Sequence, residues 1–323
     1  MDENLSNQLR PLGRTGIKVT PVGLGVMQFS GSSGVFRMVY QDLSQGEMTA
    51  IVKTALDAGI NWFDTAEMYG QGKSEQGLAR ALEQLGQDDD EVFIGTKWFP
   101  IFRTANNIPK TIEDRLRFLD GYTIDLYMVH QPWGFSSPEK EMHAMADLVD
   151  QGKIRSVGVS NFNLDQMTRA HDALKKRGLP LAVNQVQYSL LHREIEADGV
   201  LAAAKDLGIT IVAWSPLARG ILSGKFHNPA VYDQLPIGRK MMMGGKIKES
   251  TQVVAELTEI AEKYQVTPAQ VALNWLINFQ GETVVAIPGA SKVHQAEESA
   301  GAMQFRLSEE ELAKLDELTR KFR

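Results

Sequence analysis

The sequence predicts an α/β protein: a single (β/α)8 TIM barrel over residues 1–323, with an N-terminal hairpin and extra helices. Three observations carry this. Short apolar runs alternate with amphipathic segments down most of the chain, the pattern of repeated βα units. The apolar runs number eight, at residues 22–29, 60–64, 92–97, 124–130, 154–160, 183–188, 209–214 and 283–288. Several are almost wholly apolar, as parallel strands buried on both faces must be. Eight such units suggest a closed barrel more than an open sheet, and no Pro/Ser-rich linker divides them.

Taken in order, the first element is "QLRPLGRTGIKVTPVGLG", a short hairpin with a turn at 14–16, placed to close the bottom of the barrel. Amphipathic segments at 44–58, 73–85, 109–119, 138–150, 164–176 and 194–207 supply the helices between strands. Their ends are readable. In "DAGIN", Gly59 stands between a helix and a strand; in "NFNLDQM", Asn163 is an N-cap; "KKRGLP" ends a helix with basic residues, Gly178 and Pro180. Two helices, 250–264 and 268–279, separate the seventh and eighth strands and follow a long loop, 223–249. Within that loop "GRKMMMGGKIK" (238–248) has adaptable methionines beside two glycines, a composition that fits a lid and a merely mobile loop equally well. The terminal "LSEEELAKLDELTRKF" carries a capping-box pair, Ser308 and Glu311, and its helix is expected outside the barrel.

Composition excludes several classes. The chain has 323 residues, 43% hydrophobic and 23% charged, with a formal net charge of -6. That balance argues against broad nucleic-acid or anionic-membrane binding. There is no cysteine, which removes disulfides, thiolate nucleophiles and Cys-bound zinc. "MDENLSNQLR" is not a signal peptide, and no apolar run approaches the ~20 residues of a membrane span. A cytoplasmic location is expected, and a homo-oligomer stays open.

Barrels of this kind build their sites at the C-terminal ends of the strands. The second strand ends in Asp64, with Tyr69 five residues on; the third ends in Lys97; the fourth ends in His130. A free phenol, with a pKa near ~10, is a poor acid at neutral pH. An ammonium beside it favours the phenolate, and a carboxylate can hold that ammonium charged and oriented. A histidine can hydrogen-bond the substrate oxygen or relay the proton. Each residue alone reads as a solvated rim or structural residue. Together they make a proton donor for an oxygen that is gaining charge. As a set they are poor zinc ligands, so no metal is expected.

These blocks resemble the aldo-keto reductases. "GINWFDTAEMYGQGKSE" is similar to the family's first signature, carrying Asp64 and Tyr69; "GTK" carries Lys97 and "LYMVHQP" carries His130. "GKIRSVGVSNF" resembles the second signature, and "NQVQYSLL" and "AWSPLARGILSGKF" follow in the family's order. The resemblance implies that Tyr69 is the general acid in carbonyl reduction, that Lys97 and Asp64 tune it, and that His130 orients the carbonyl.

It also implies a nicotinamide cofactor, NADPH in preference to NADH. The usual dinucleotide fingerprint is missing: "GLGVMQ" lacks a third glycine and the downstream acid. By resemblance Trp214 stacks on the nicotinamide, and Ser160, Asn161 and Gln185 meet its carboxamide, near Asp64, Val26 and Met27. Ser215, Leu217, Gly220 and Lys225 line the pyrophosphate, and Arg239, with Lys225 and Lys292, adds the positive charge that favours NADPH. "IPGASKVHQAEES" leads from the eighth strand into a helix whose N-terminus suits a phosphate. There Ser291, Lys292 and Gln295 meet the 2′-phosphate and Glu298 the adenine, and Gly289 and Ser299 also belong to the cofactor site, Ser299 standing where Asn is usual. Gly289, Ala290 and Gln295 stand where many members have Lys, Ser and Arg. That pattern resembles the branch of bacterial general-stress reductases and potassium-channel β subunits.

Phe29, Trp98, Phe99, His130 and Trp133, with Met27, are expected to wall an apolar substrate pocket for a small carbonyl compound. The chain is therefore read as an NADPH-dependent reductase of aldehydes and ketones. The alternative is an NADPH-binding redox-sensing subunit with slow turnover, and a weaker third reading is a Schiff-base lyase using Lys97.

Overall fold

Period-two alternation along the strands decides which side chains enter the barrel and which meet the helices. The computed structural model of the chain describes residues 9–31, 42–235 and 237–323; the side chains of 237–239 and 241–242, Arg239 included, lie outside that description. A hairpin comes first, β1 (Arg10–Pro11) pairing antiparallel with β2 (Lys18–Val19). Eight parallel strands follow in chain order: β3 (Leu24–Gly25), β4 (Trp62–Asp64), β5 (Phe93–Trp98), β6 (Leu126–Val129), β7 (Ser156–Ser160), β8 (Leu181–Gln187), β9 (Thr210–Trp214) and β10 (Val284–Ile287). Each lies within or beside its expected run. Parallel bridges Val22–Ala286 and Gly25–Gly289 bring the first strand alongside the last.

Trp62, Phe93, Leu126, Val183, Val212 and Val285 pack inside the barrel. Their sequence neighbours Phe63, Ile94, Tyr127, Ile211 and Ala286 belong to the larger layer between strands and helices. The hairpin plugs the lower end, as expected. Leu12 and Val19 join the inner cluster, and the Gly13 N–H donates to Thr210 Oγ1 at 2.8 Å. Gly13 has φ 57, and a Cβ there would lie 2.5 Å from the Ala182 carbonyl oxygen, so only glycine lets the turn seat this closely.

The helical ring comprises Gln45–Asp57, Lys73–Gln84, Ile108–Phe118, Pro138–Asp150, Leu164–Lys175 and Val200–Leu207. Asn163 is an N-cap, accepting from the Gln166 N–H at 2.9 Å. The C-terminal helix Glu309–Thr319 carries the Ser308–Glu311 capping box. It lies outside the barrel, where Leu312 O accepts from Trp275 Nε1 on Pro268–Phe279.

Two expectations change. Segment 194–207 is not one helix: a 3-10 turn Glu194–Glu196 is followed by Val200–Leu207. The break serves buried Arg193, which pairs with Glu196 at 2.7 Å and with Asp316 at 2.5 Å. Segment 223–249 is not a long loop. It forms short helical turns and two helices, Pro229–Tyr232 and Ile237–Glu249. The methionines and lysines of 240–248 are good helix formers, and they outweigh two glycines at about 1 kcal/mol each. His227 Nε2 meets Ile247 O and Ser250 Oγ, both at 3.1 Å, and pins the C-terminal end of Ile237–Glu249. A glycine-hinged loop lid is therefore not what this segment forms. No helix among the described residues is long and apolar enough to cross a membrane.

Candidate active site

The inward parity of the strands carries straight up to the mouth. Asp64 follows Trp62, Lys97 follows Phe93 and Gly95, and His130 follows Leu126 and Met128, each two residues on. Three chemically active side chains therefore crown the inner core.

Lys97 is fully buried. Its Nζ donates to Asp64 Oδ1 at 2.6 Å and to the Thr65 carbonyl at 2.8 Å. The other carboxylate oxygen, Oδ2, accepts from Gln185 Nε2 at 2.9 Å. Burial pushes the Lys97 ammonium below the usual lysine range, and Asp64 pulls it back toward the charged form. The same Nζ lies 5.1 Å from the centre of the Tyr69 ring. Tyr69 is set by a tight turn in which its N–H donates to Ala66 O at 3.0 Å. Gly70 follows at φ 67; a Cβ there would come within 2.4 Å of Ser30 O, so the turn needs glycine next to the phenol.

His130 completes the group. Its ring meets Tyr69 edge-on at 5.7 Å and Phe99 at 6.0 Å. Burial, then the Lys97 charge, pushes the imidazole down to about 3, so it is neutral at physiological pH. Its Nδ1 is buried without a hydrogen-bond partner among the described residues. A neutral ring with an unsatisfied nitrogen has hydrogen-bonding capacity left for a ligand.

Beside this cluster a second set is fixed by mutual bonds. Trp214 Nε1 donates to Asn161 Oδ1 at 2.9 Å, Asn161 Nδ2 donates to Ser160 Oγ at 3.1 Å, and Ser160 Oγ donates to Gln185 O at 2.9 Å. Asn161 has φ 59, a left-handed conformation that asparagine tolerates. The turn after β9 is more strained, with Ser215, Ala218 and Arg219 all at positive φ. Such strain clusters at ligand-binding turns. Leu217 and Gly220 are half-buried there, and Lys225 is exposed. Past β10, the Ser291 N–H and hydroxyl both donate to Gln295 Oε1, at 2.8 and 3.2 Å. Lys292 is exposed, Glu298 half-buried, and Gly289 exposed beside Gln28.

Four expected site residues are buried away from solvent. Trp98 falls on the outward parity of β5 and is buried in the helix-facing layer. Phe29 belongs to the same layer, packed near Gly77, because the chain turns into a 3-10 helix at Met27–Ser30. Val26 is buried, its N–H donating to Asp64 O and its carbonyl accepting from Ser74 Oγ. Ser299 is buried on Val293–Gly301. Met27 and Phe99 are half-buried and Trp133 exposed.

Other residues emerge only from the structure. Glu67 accepts from the Phe99 N–H at 3.0 Å and from Arg103 Nη1 at 2.7 Å. Arg115 joins Glu67 to buried Glu75, 3.3 and 2.8 Å away, and Thr96 Oγ1 donates to Glu75 at 2.6 Å. Burial, opposed by Arg115, pushes the Glu75 carboxyl up to about 7. One sequence signal was available: Glu75 sits three and four residues before Leu78 and Ala79, on the buried face of Lys73–Gln84.

The family model for the aldo/keto reductase family matches residues 21–320. The chain belongs to the aldo/keto reductase family. An oxidoreductase of Mycobacterium tuberculosis is 37% identical over 309 residues, covering 95% of this chain and 91% of that protein. A thermostable aldo-keto reductase solved with the inhibitor epalrestat superposes with a TM-score of 0.75 at 32% identity, covering 96% of this chain and 99% of that one. An aldo-keto reductase from Klebsiella pneumoniae, solved with NADPH, gives a TM-score of 0.72 at 26% identity, covering 97% and 95%. The aldo-keto reductase described here is thus an oxidoreductase.

Proposed function

We propose that this protein reduces aldehydes and ketones to alcohols with NADPH, using Tyr69 as the proton donor. The observation that carries the reading is the convergence of Tyr69, Lys97, Asp64 and His130 at one barrel mouth.

The chain's residues suit a nicotinamide cofactor. Trp214 is a half-exposed indole held by Asn161, and a fixed aromatic face suits a flat ring. Ser160, Asn161 and Gln185 flank it with amide and hydroxyl groups. Ser215, Leu217, Gly220 and Lys225 would hold the pyrophosphate, while Gly289, Ser291 and Lys292 would take a 2′-phosphate. The exposed ammonium of Lys292 is the feature that favours NADPH over NADH. When bound, the reduced nicotinamide supplies a hydride to the carbonyl carbon.

The protein's residues do the rest. As the C=O π bond breaks, the Tyr69 hydroxyl gives its proton to the oxygen. The resulting phenolate faces the Lys97 ammonium, which lowers its energy, and Asp64 and Gln185 keep that ammonium in place. Neutral His130 hydrogen-bonds the carbonyl oxygen and aligns it with Tyr69. Pre-set donors of this kind supply most of the rate gain, since they need not reorganise as charge develops. Tyr69→Phe should bind NADPH as the wild type does, by fluorescence titration, and lose at least ~10²-fold in kcat on an aldehyde panel. Wild-type kcat in that variant would rule the mechanism out. A single slow turnover by the native protein with cofactor retained would favour the redox-sensing alternative.

A further inference from the structure

The turn that carries Tyr69 is gripped from helix Ile108–Phe118. Arg115 on that helix is buried. Its Nη1 lies 3.3 Å from Glu67 Oε1 and its Nε 2.8 Å from Glu75 Oε2. Glu67 comes two residues before Tyr69 and Glu75 six after it. One guanidinium thus clasps both ends of the segment that holds the phenol. Phe118, on the same helix, takes the middle. Gly72 has φ 92, and a Cβ there would come within 2.3 Å of the Phe118 ring. Only glycine lets that ring seat so closely. The Arg115 guanidinium carbon lies 5.1 Å from the centre of the same ring, so the two side chains grip 67, 72 and 75 together.

The same two acids also grip the strand that carries the lysine. The Glu67 N–H donates to Lys97 O at 3.1 Å, and Glu67 Oε2 accepts from the Phe99 N–H at 3.0 Å. Glu75 Oε1 accepts from Thr96 Oγ1 at 2.6 Å. Residues 96, 97 and 99 are therefore tied to the carboxylates that Arg115 holds. A well-packed apolar cluster of that volume often supports a fold as firmly as a buried ion pair. What the guanidinium adds is direction: a rigid, planar fork fixes two carboxylates relative to each other.

We propose that Arg115 is a positioning residue for proton delivery: by clasping Glu67 and Glu75 it sets the Tyr69 ring against Lys97, whose Nζ lies 5.1 Å from the ring centre. This rests on the carbonyl-reductase reading above, in which the Tyr69 O–H bond breaks as a bond forms to the carbonyl oxygen. Lysine at 115 would keep the charge and lose the clasp, because its single Nζ has no second nitrogen fixed toward the other acid.

The test uses Arg115→Lys and Glu67→Gln, with Tyr69→Phe as the reference, on an aldehyde panel with NADPH. Arg115→Lys should lose about tenfold or more in kcat, while KM and the NADPH Kd stay within about twofold. Its solvent deuterium isotope effect on kcat should rise above the wild-type value, because the proton leaves a misplaced phenol slowly. Glu67→Gln keeps an acceptor for the Phe99 N–H and loses the charge that Arg115 holds, so it should show the same pattern with a smaller loss. A purely structural role would lower the active fraction and leave the isotope effect unchanged, and that result would overturn the proposal. So would wild-type kcat in Arg115→Lys, although the mechanism would stand if Tyr69→Phe were inactive. Wild-type kcat in Tyr69→Phe would remove the mechanism and the clasp together. If Arg115→Lys does not fold, Glu67→Gln decides by the same two readings.

Discussion

Gln185 donates its side-chain amide to Asp64 across the mouth of the barrel, β8 to β4, at 2.9 Å. Lys97 holds the opposite carboxylate oxygen at 2.6 Å. Asp64 is thereby fixed from both sides, and so is the ammonium that faces Tyr69. By resemblance Gln185 belongs to the cofactor carboxamide; its Nε2 also has this second partner inside the protein.

Gln185→Leu removes that partner and leaves a buried carboxylate oxygen without a donor. Such a loss costs about 1–3 kcal/mol, which should lower the melting temperature by several degrees. Measured without cofactor, the shift is independent of nicotinamide binding. An unchanged melting temperature would mean that the amide does not hold Asp64.

Glu141 offers a pH-dependent prediction. It is buried on Pro138–Asp150 close to Gly134, and its Oε1 has no hydrogen-bond partner among the described residues. Burial alone pushes its carboxyl from 4.5 up to about 8. The folded state therefore holds a proton that the unfolded state releases, and this group lowers stability as pH rises from 4.5 toward 8. Glu141→Gln should match the wild type near pH 4 and exceed it at pH 8.5, by an amount on the order of a few kcal/mol. Thermal unfolding across pH 4–9 checks this, and parallel curves for the two proteins would refute it.

The eight strands and the Asp64, Tyr69, Lys97 and His130 set were legible because apolar runs end where the chain changes chemistry. The hairpin was legible from its glycine turn. The inward or outward parity of Trp98 was not, since a strand buried on both faces carries no polar alternation to reveal which side faces the core. Phe29 was misplaced for a related reason: its run continues past the point where the chain leaves the sheet at Gly25. The helix Ile237–Glu249 was hidden by two glycines that composition alone assigns to a loop. Glu67, Glu75 and Arg115 read as solvated charges because their partners are tens of residues apart in sequence, up to 48 between Glu67 and Arg115.

His130 makes the sharpest claim about protonation. Burial and the Lys97 charge hold its imidazole down to about 3. Its folded pKa lies below the unfolded value of 6.5, so the group lowers stability as pH falls below 6.5. It should not titrate in the working range of the enzyme. The kcat/KM profile of the wild type should therefore show no limb near 6.5 that is assignable to this residue. His130→Gln keeps a donor and His130→Ala does not, so the alanine variant should be about tenfold slower than the glutamine variant. Both should keep the wild-type profile shape between pH 5 and 8. A limb near 6.5 that vanishes in His130→Gln would show that the imidazole works as a titrating acid, not as a neutral hydrogen-bonding group.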